Sequence, residues 1–153
     1  MTLLAAIRPD DWNLPLFLHL VGAMTLVGAL LLVAVSLAGA GRGGSAGVVR
    51  LGFRGLLFAA LPAWILVRVT AEWLANEENL DEDPPGWIDI GYMTSDTTFL
   101  LLIGATVCAG LAARRAGRGG PQGGGLNVAV VVLVAISLIA YLVAIWAMTT
   151  KPS

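Results

Sequence analysis

The chain has 153 residues, of which 58% are hydrophobic and only 12% charged, with a formal net charge of −1. Soluble domains carry about a quarter charged residues and just under half apolar ones, so an excess this large, gathered into runs of about 20 residues, marks an integral membrane protein. A secreted disulfide scaffold, a disordered tail and a conventional soluble enzyme are excluded. Cys108, the single cysteine, leaves no room for an intrachain disulfide, a CxxC pair or a cysteine metal cluster.

The N-terminal MTLLAAIRPDDW is expected to form a short interfacial segment, and the first apolar span follows over 14–38. Leu37-Ala38-Gly39-Ala40 has the small residues of a signal-cleavage site. However, Asp10 and Asp11 stand where a cationic n-region belongs, and the apolar run exceeds the ~7–15 residues of an h-region, so a retained helix is expected. A glycine-rich basic loop over 39–50 contains Arg42 and Arg50, with Arg54 just beyond. The second span covers 51–74, and Pro62 near its middle is expected to kink it. The loop over 76–96 carries Glu77, Glu78, Asp81, Glu82, Asp83, Asp89 and Asp96 and no cation. The third span, 97–113, is the shortest and is expected to be the least tilted. A second basic loop, 114–125, holds Arg114, Arg115 and Arg118 before the last span, 126–148.

At ~1.5 Å per residue these segments cross a ~30 Å hydrocarbon core as helices, which satisfy their own backbone groups in lipid. Arg42, Arg50, Arg54, Arg114, Arg115 and Arg118 flank the two loops of one face, and the positive-inside rule makes that face cytoplasmic. The expected fold is therefore all-α: one integral-membrane domain, an antiparallel bundle of four transmembrane helices with both termini and the acidic loop outside. The Ala, Gly and Val richness and the use of arginine over lysine fit a GC-rich bacterial genome and hence a bacterial plasma membrane.

Trp12, Trp73, Trp87, Tyr92 and Trp146 fall near the outer helix ends, as an interfacial aromatic belt or an outer docking surface would place them. Thr25 and Ala29, Ala105 and Ala109, and Ala140 and Ala144 are small residues four apart, and Gly52, Gly55, Ala59 and Ala63 form a similar stripe. Such stripes let helix backbones approach in lipid.

Ionisable side chains inside spans are costly and are functional candidates by default. His19, Arg68 and Glu72 qualify, with Asp96 at the outer start of the third span and Tyr141 in the fourth. His19, Arg68 and Tyr141 all lie roughly 7–10 Å below the outer boundary by helical rise, so chain segments far apart in sequence reach one layer. Arg68 and Glu72, four apart, either pair locally as a snorkelling cation and its counter-ion or line an outward-open pocket. His19 is the only histidine, which excludes a bis-histidine haem or a multi-histidine zinc or copper site within one chain. It stays a lone candidate for a metal ligand, a proton relay or a simple interhelical hydrogen bond. No cofactor is expected.

The acidic loop attracts cations in general, but Asp81, Glu82 and Asp83 do not follow an EF-hand and lead into the stiff Pro84-Pro85-Gly86. With Asp89 they form a candidate docking surface for a partner. Walker, HExxH, GxSxG and Rossmann motifs are absent, and nucleic-acid binding has no support. The glycine- and arginine-rich loops suit turns that touch anionic headgroups.

Leu18-His19-Leu20-Val21-Gly22-Ala23, continuing through Gly28-Ala29-Leu30, resembles the first helix of small polytopic bacterial proteins related to the copper-resistance D family. The resemblance implies a compact helical bundle in the plasma membrane with His19 as the matching polar position, and through that residue a metal- or redox-linked role.

Three functions remain open from the residues. One is a non-catalytic accessory or interaction subunit, with other membrane subunits or further copies of itself as partners. The second is a small proton-coupled or ion transporter or channel using the outer-leaflet polar cluster. The third is a cofactor- or quinone-binding redox anchor.

Overall fold

The computed structural model describes residues 13–40, 45–77, 86–119 and 124–150, and every element among them is helical. Helix α1 covers Asn13–Ala40; α2 (Ala46–Gly55) runs through a π-helical turn, Leu56–Ala60, into α3 (Leu61–Glu77); α4 covers Gly86–Gly117 and α5 Gly125–Thr150. With α2 and α3 taken as one rod, four helices are long and apolar enough to cross a membrane. Each keeps large apolar side chains on its outward face, among them Met24, Val35, Phe58, Leu100 and Ile139. A soluble monomer rarely exposes a continuous surface of this kind, whereas lipid covers it at no cost.

The π turn ends directly before Leu61-Pro62. Proline lacks an N–H and its ring clashes with the carbonyl four residues back, and widening the preceding turn relieves that clash. The Leu61 N–H accordingly reaches the Leu56 carbonyl, five residues back. At Pro62, where a kink is expected, the helix carries a π turn on the N-terminal side.

Helix α1 packs against α2, α3 and α5, and α4 packs against α5 and α2. The core is built from residues three and four apart: Leu26, Leu30, Val33 and Leu37 on α1; Leu102, Ala105, Ala109 and Ala112 on α4; Val130 and Val134 on α5. This spacing keeps one stripe of each helix facing its neighbours over several turns. Small residues set how close the helices come. A Cβ on Gly52 would stand 3.0 Å from the Leu37 side chain, one on Gly55 3.1 Å from Val33, and one on Gly22 3.0 Å from Val67. Ala105, Ala109, Ala144 and Ala63 are buried as the small-residue pattern predicts. Thr25 is not: it is exposed and its hydroxyl donates to the Val21 carbonyl of its own helix. The Thr25–Ala29 pair therefore does not meet a neighbour as a unit, because only Ala29 lies on the inward stripe.

The main departure from expectation is α4. Its helix starts at Gly86, well before Thr97, and at 32 residues it is not the short span foreseen. Half of the expected acidic loop is helical. Pro84 and Pro85 suit the approach to a helix start, and Trp87, Ile88, Gly91, Tyr92 and Ser95 recur at helical spacing toward the interior. Interspersed Asp89, Asp96 and glycine lower the hydropathy of this stretch and hide the pattern. Likewise, Arg50 and Arg114, expected in loops, are helical.

Candidate functional site: a cavity beside a polar seam

Helices α3 and α4 barely touch along their backbones, although α2 and α4 pack well. Large side chains fill the space between them. Trp64, Arg68 and Glu72, one turn apart on α3, face Tyr92, Ser95, Asp96 and Phe99 on α4. Trp64 stacks on Phe99 with ring centroids 4.3 Å apart, and its indole N–H donates to the Ser95 carbonyl at 3.1 Å. Arg68 pairs with Glu72 on its own helix and stands 3.7 Å from Asp96 across the seam. Its guanidinium also lies 4.6 Å from the centre of the Tyr92 ring, and the Tyr92 hydroxyl donates to Glu72 at 3.2 Å.

Arg68 therefore faces two carboxylates and an aromatic face, so its charge is balanced within the protein. It is a latch between α3 and α4 and not a free anion-binding group. Tyr92, expected from the sequence in an interfacial belt or an outer docking surface, is a member of this network. Its i, i+4 relation to Asp96 becomes visible only once the stretch is known to be helical.

Behind the seam, α1, α3, α4 and α5 line a partly open cavity of about 270 Å³. Its walls are mainly apolar, from residues such as Leu26, Val67, Leu74 and Ile145, and its polar members include His19, Arg68, Ser95 and Tyr141. Trp87 lines it also, while Trp73 and Trp146 are exposed. Trp12 lies outside the described residues.

The polar residues of the cavity do not form one network. The His19 Nδ1 lies 3.2 Å from the Val67 carbonyl and 3.3 Å from the Thr70 hydroxyl oxygen. A carbonyl only accepts, so Nδ1 carries the proton and Nε2 presents a lone pair. Among the described residues Nε2 has no partner. Tyr141 and Thr98 are both buried and hydrogen-bonded at 2.7 Å. The Thr98 hydroxyl oxygen is also 2.7 Å from the Thr94 carbonyl, which only accepts; with its single proton engaged there, Thr98 accepts from the phenol. Ser95 lines the cavity with a buried hydroxyl oxygen that has no partner among the described residues.

Of the expected polar cluster, then, Arg68, Glu72 and Asp96 are joined by ion pairs, whereas His19 and Tyr141 share only the cavity with Arg68. Asp89 is exposed in the first turn of α4, and Asp81, Glu82 and Asp83 lie outside the described residues. Among the described residues no three His, Cys, Asp or Glu side chains come together as a metal site.

Replacing Tyr141 by Phe removes a donor from a Thr98 hydroxyl that keeps its backbone acceptor. A loss of about 1 kcal/mol in unfolding free energy is expected. Thr98→Val orphans the phenol and is expected to cost more, about 2 kcal/mol. Equal losses in detergent-solubilised unfolding experiments would contradict this donor assignment.

Compared with known protein families, curated proteins and solved structures, the chain matches none of them.

Proposed function

We propose that this chain is a small non-catalytic membrane protein that binds a lipid-soluble molecule with a hydrogen-bonding polar end, a quinone being the type. The observation that carries this reading is the cavity between α1, α3, α4 and α5, apolar in its walls, with unused hydrogen-bonding capacity at Ser95 and His19. Binding sites for small molecules are mostly apolar hollows with a few convergent polar groups. A polar end that both donates and accepts fits here: the His19 Nε2 accepts, and the Ser95 hydroxyl does either. The likeness of the first helix to the copper-resistance D family bears on the proposal through His19 alone.

The setting we propose is an accessory or anchor subunit of a larger assembly in a bacterial plasma membrane. In it the helices run antiparallel, the basic loops lie in the cytoplasm, and the acidic segment and both termini lie outside. The arginines support that orientation, since Arg42, Arg50, Arg54, Arg114, Arg115 and Arg118 lie in or beside the two segments assigned to the cytoplasm. Transport is less well supported. Below the cavity Leu30, Val33, Leu56, Leu102, Val130 and Val134 are fully buried, so passage would require this packed layer to part.

Purification from native membranes into nanodiscs, followed by mass spectrometry of extracted small molecules, tests the reading. The expected result is one lipophilic species at near-stoichiometric amount, lost from Ala23→Phe, which fills the cavity from α1, while helicity is retained. Only bulk lipid in both wild type and variant would overturn it.

A further inference from the structure

At the opposite end of the bundle, α2 and α4 form a groove of about 570 Å³ whose rim carries Arg50, Arg54 and Arg114. Its floor is apolar. The Phe53 ring lies on Gly110, where a Cβ would stand 3.1 Å from the ring, and Val107 and Leu111 continue the apolar surface outward at 57% and 44% exposure. Arg50 and Arg54 are one turn apart on α2, and the Arg50 guanidinium reaches to within 3.1 Å of a Cβ position on Gly117, in the last turn of α4. The unpaired carbonyls of a helix end attract a cation there. Cations from two helices are thus held over one groove.

No carboxylate balances them. Every Asp and Glu of the chain lies at positions 10–11 or 72–96, so the groove segments, 50–54 and 106–114, hold none. None of the three arginines has an ion pair among the described residues, in contrast to Arg68.

We propose that this groove is a binding site for an anionic glycerophospholipid. Arg50 and Arg114 hold the phosphate, Arg54 adds a cation one turn deeper, and an acyl chain lies along Phe53, Val107 and Leu111. Guanidinium groups match phosphate oxygens in paired hydrogen bonds, and basic pockets between transmembrane helices suit such headgroups. A soluble anion satisfies the arginines but leaves the exposed Val107–Leu111 wall without an occupant. A phospholipid covers both.

Native mass spectrometry of the detergent-solubilised full chain, titrated with phosphatidylglycerol or phosphatidylcholine, tests the site. Wild type is expected to retain phosphatidylglycerol about tenfold better than phosphatidylcholine, and Arg50→Gln/Arg114→Gln to lose most of that preference. Arg115→Gln/Arg118→Gln, which neutralises the same end outside the groove, is expected to leave it intact. Arg50→Lys/Arg114→Lys, a gentler change, is expected to keep charge-based binding but weaken it. The proposal is overturned if wild type shows no preference, or if the Arg115/Arg118 variant loses as much as the groove variant. Displacement of the lipid by millimolar inorganic phosphate would also overturn it, by assigning the arginines to a soluble anion.

Discussion

Arg68→Met is expected to destabilise the protein by about 2 kcal/mol, more than any single surface charge change should. The guanidinium, 27% exposed, stands between Glu72 and Asp96 and above the Tyr92 ring. Its removal leaves two carboxylates facing each other across a seam where the α3 and α4 backbones make little contact. Two half-exposed ion pairs contribute up to about 1 kcal/mol each, and the cation–π contact adds about 0.5–1 kcal/mol. The signature is the second substitution. In Arg68→Met/Glu72→Gln the repulsion is gone, so part of the loss should return. Unfolding in a fixed detergent, followed by circular dichroism, measures both. A further loss from Glu72→Gln in the Arg68→Met background would mean that the latch is not electrostatic.

Gly52→Val is expected to cost about 1–3 kcal/mol, through overpacking. A Cβ at this position would lie 3.0 Å from both Cγ and Cδ2 of Leu37, itself 1% exposed, so neither residue has room to retreat. Leu37→Ala should cost stability alone yet relieve the clash in combination, so the double variant should fall well short of the sum. Gly28→Val is the control. Nothing lies within 4 Å of its Cβ position, and a change within about 0.5 kcal/mol is expected. Strict additivity of Gly52→Val and Leu37→Ala would refute the close α1–α2 approach.

Hydropathy made the all-helical, four-span character legible because lipid imposes it residue by residue: every spanning segment must be apolar and internally hydrogen-bonded. The same signal was blind to the start of α4, where Asp89, Gly91 and Asp96 interrupt the apolar run although Trp87, Ile88, Tyr92 and Ser95 keep a helical period. The i, i+4 spacing of Arg68 and Glu72 was legible as a local pair, since both sit on one helix. Asp96 and Tyr92, which complete the latch, belong to another helix, and no spacing rule reaches across the gap.

The small residues show the same division. Ala105 and Ala109 meet a neighbour and Thr25 does not, yet the patterns in the chain are alike. In a helix apolar all round, periodicity marks no inward face, so only packing reveals which stripe is buried.

What the amino-acid order by itself determined is therefore the number and class of the helices and the separation of positive from negative charge along the chain. Tertiary structure alone decided which polar groups meet. It made Arg68 a latch and not an anion site, formed the cavity that His19, Ser95 and Tyr141 share, and brought Arg50 and Arg114 to one groove. The physical reason is that hydropathy and helical period are local properties, whereas a cavity or an ion pair depends on the rotation of each helix about its axis. That rotation is set by the sizes of side chains on other helices.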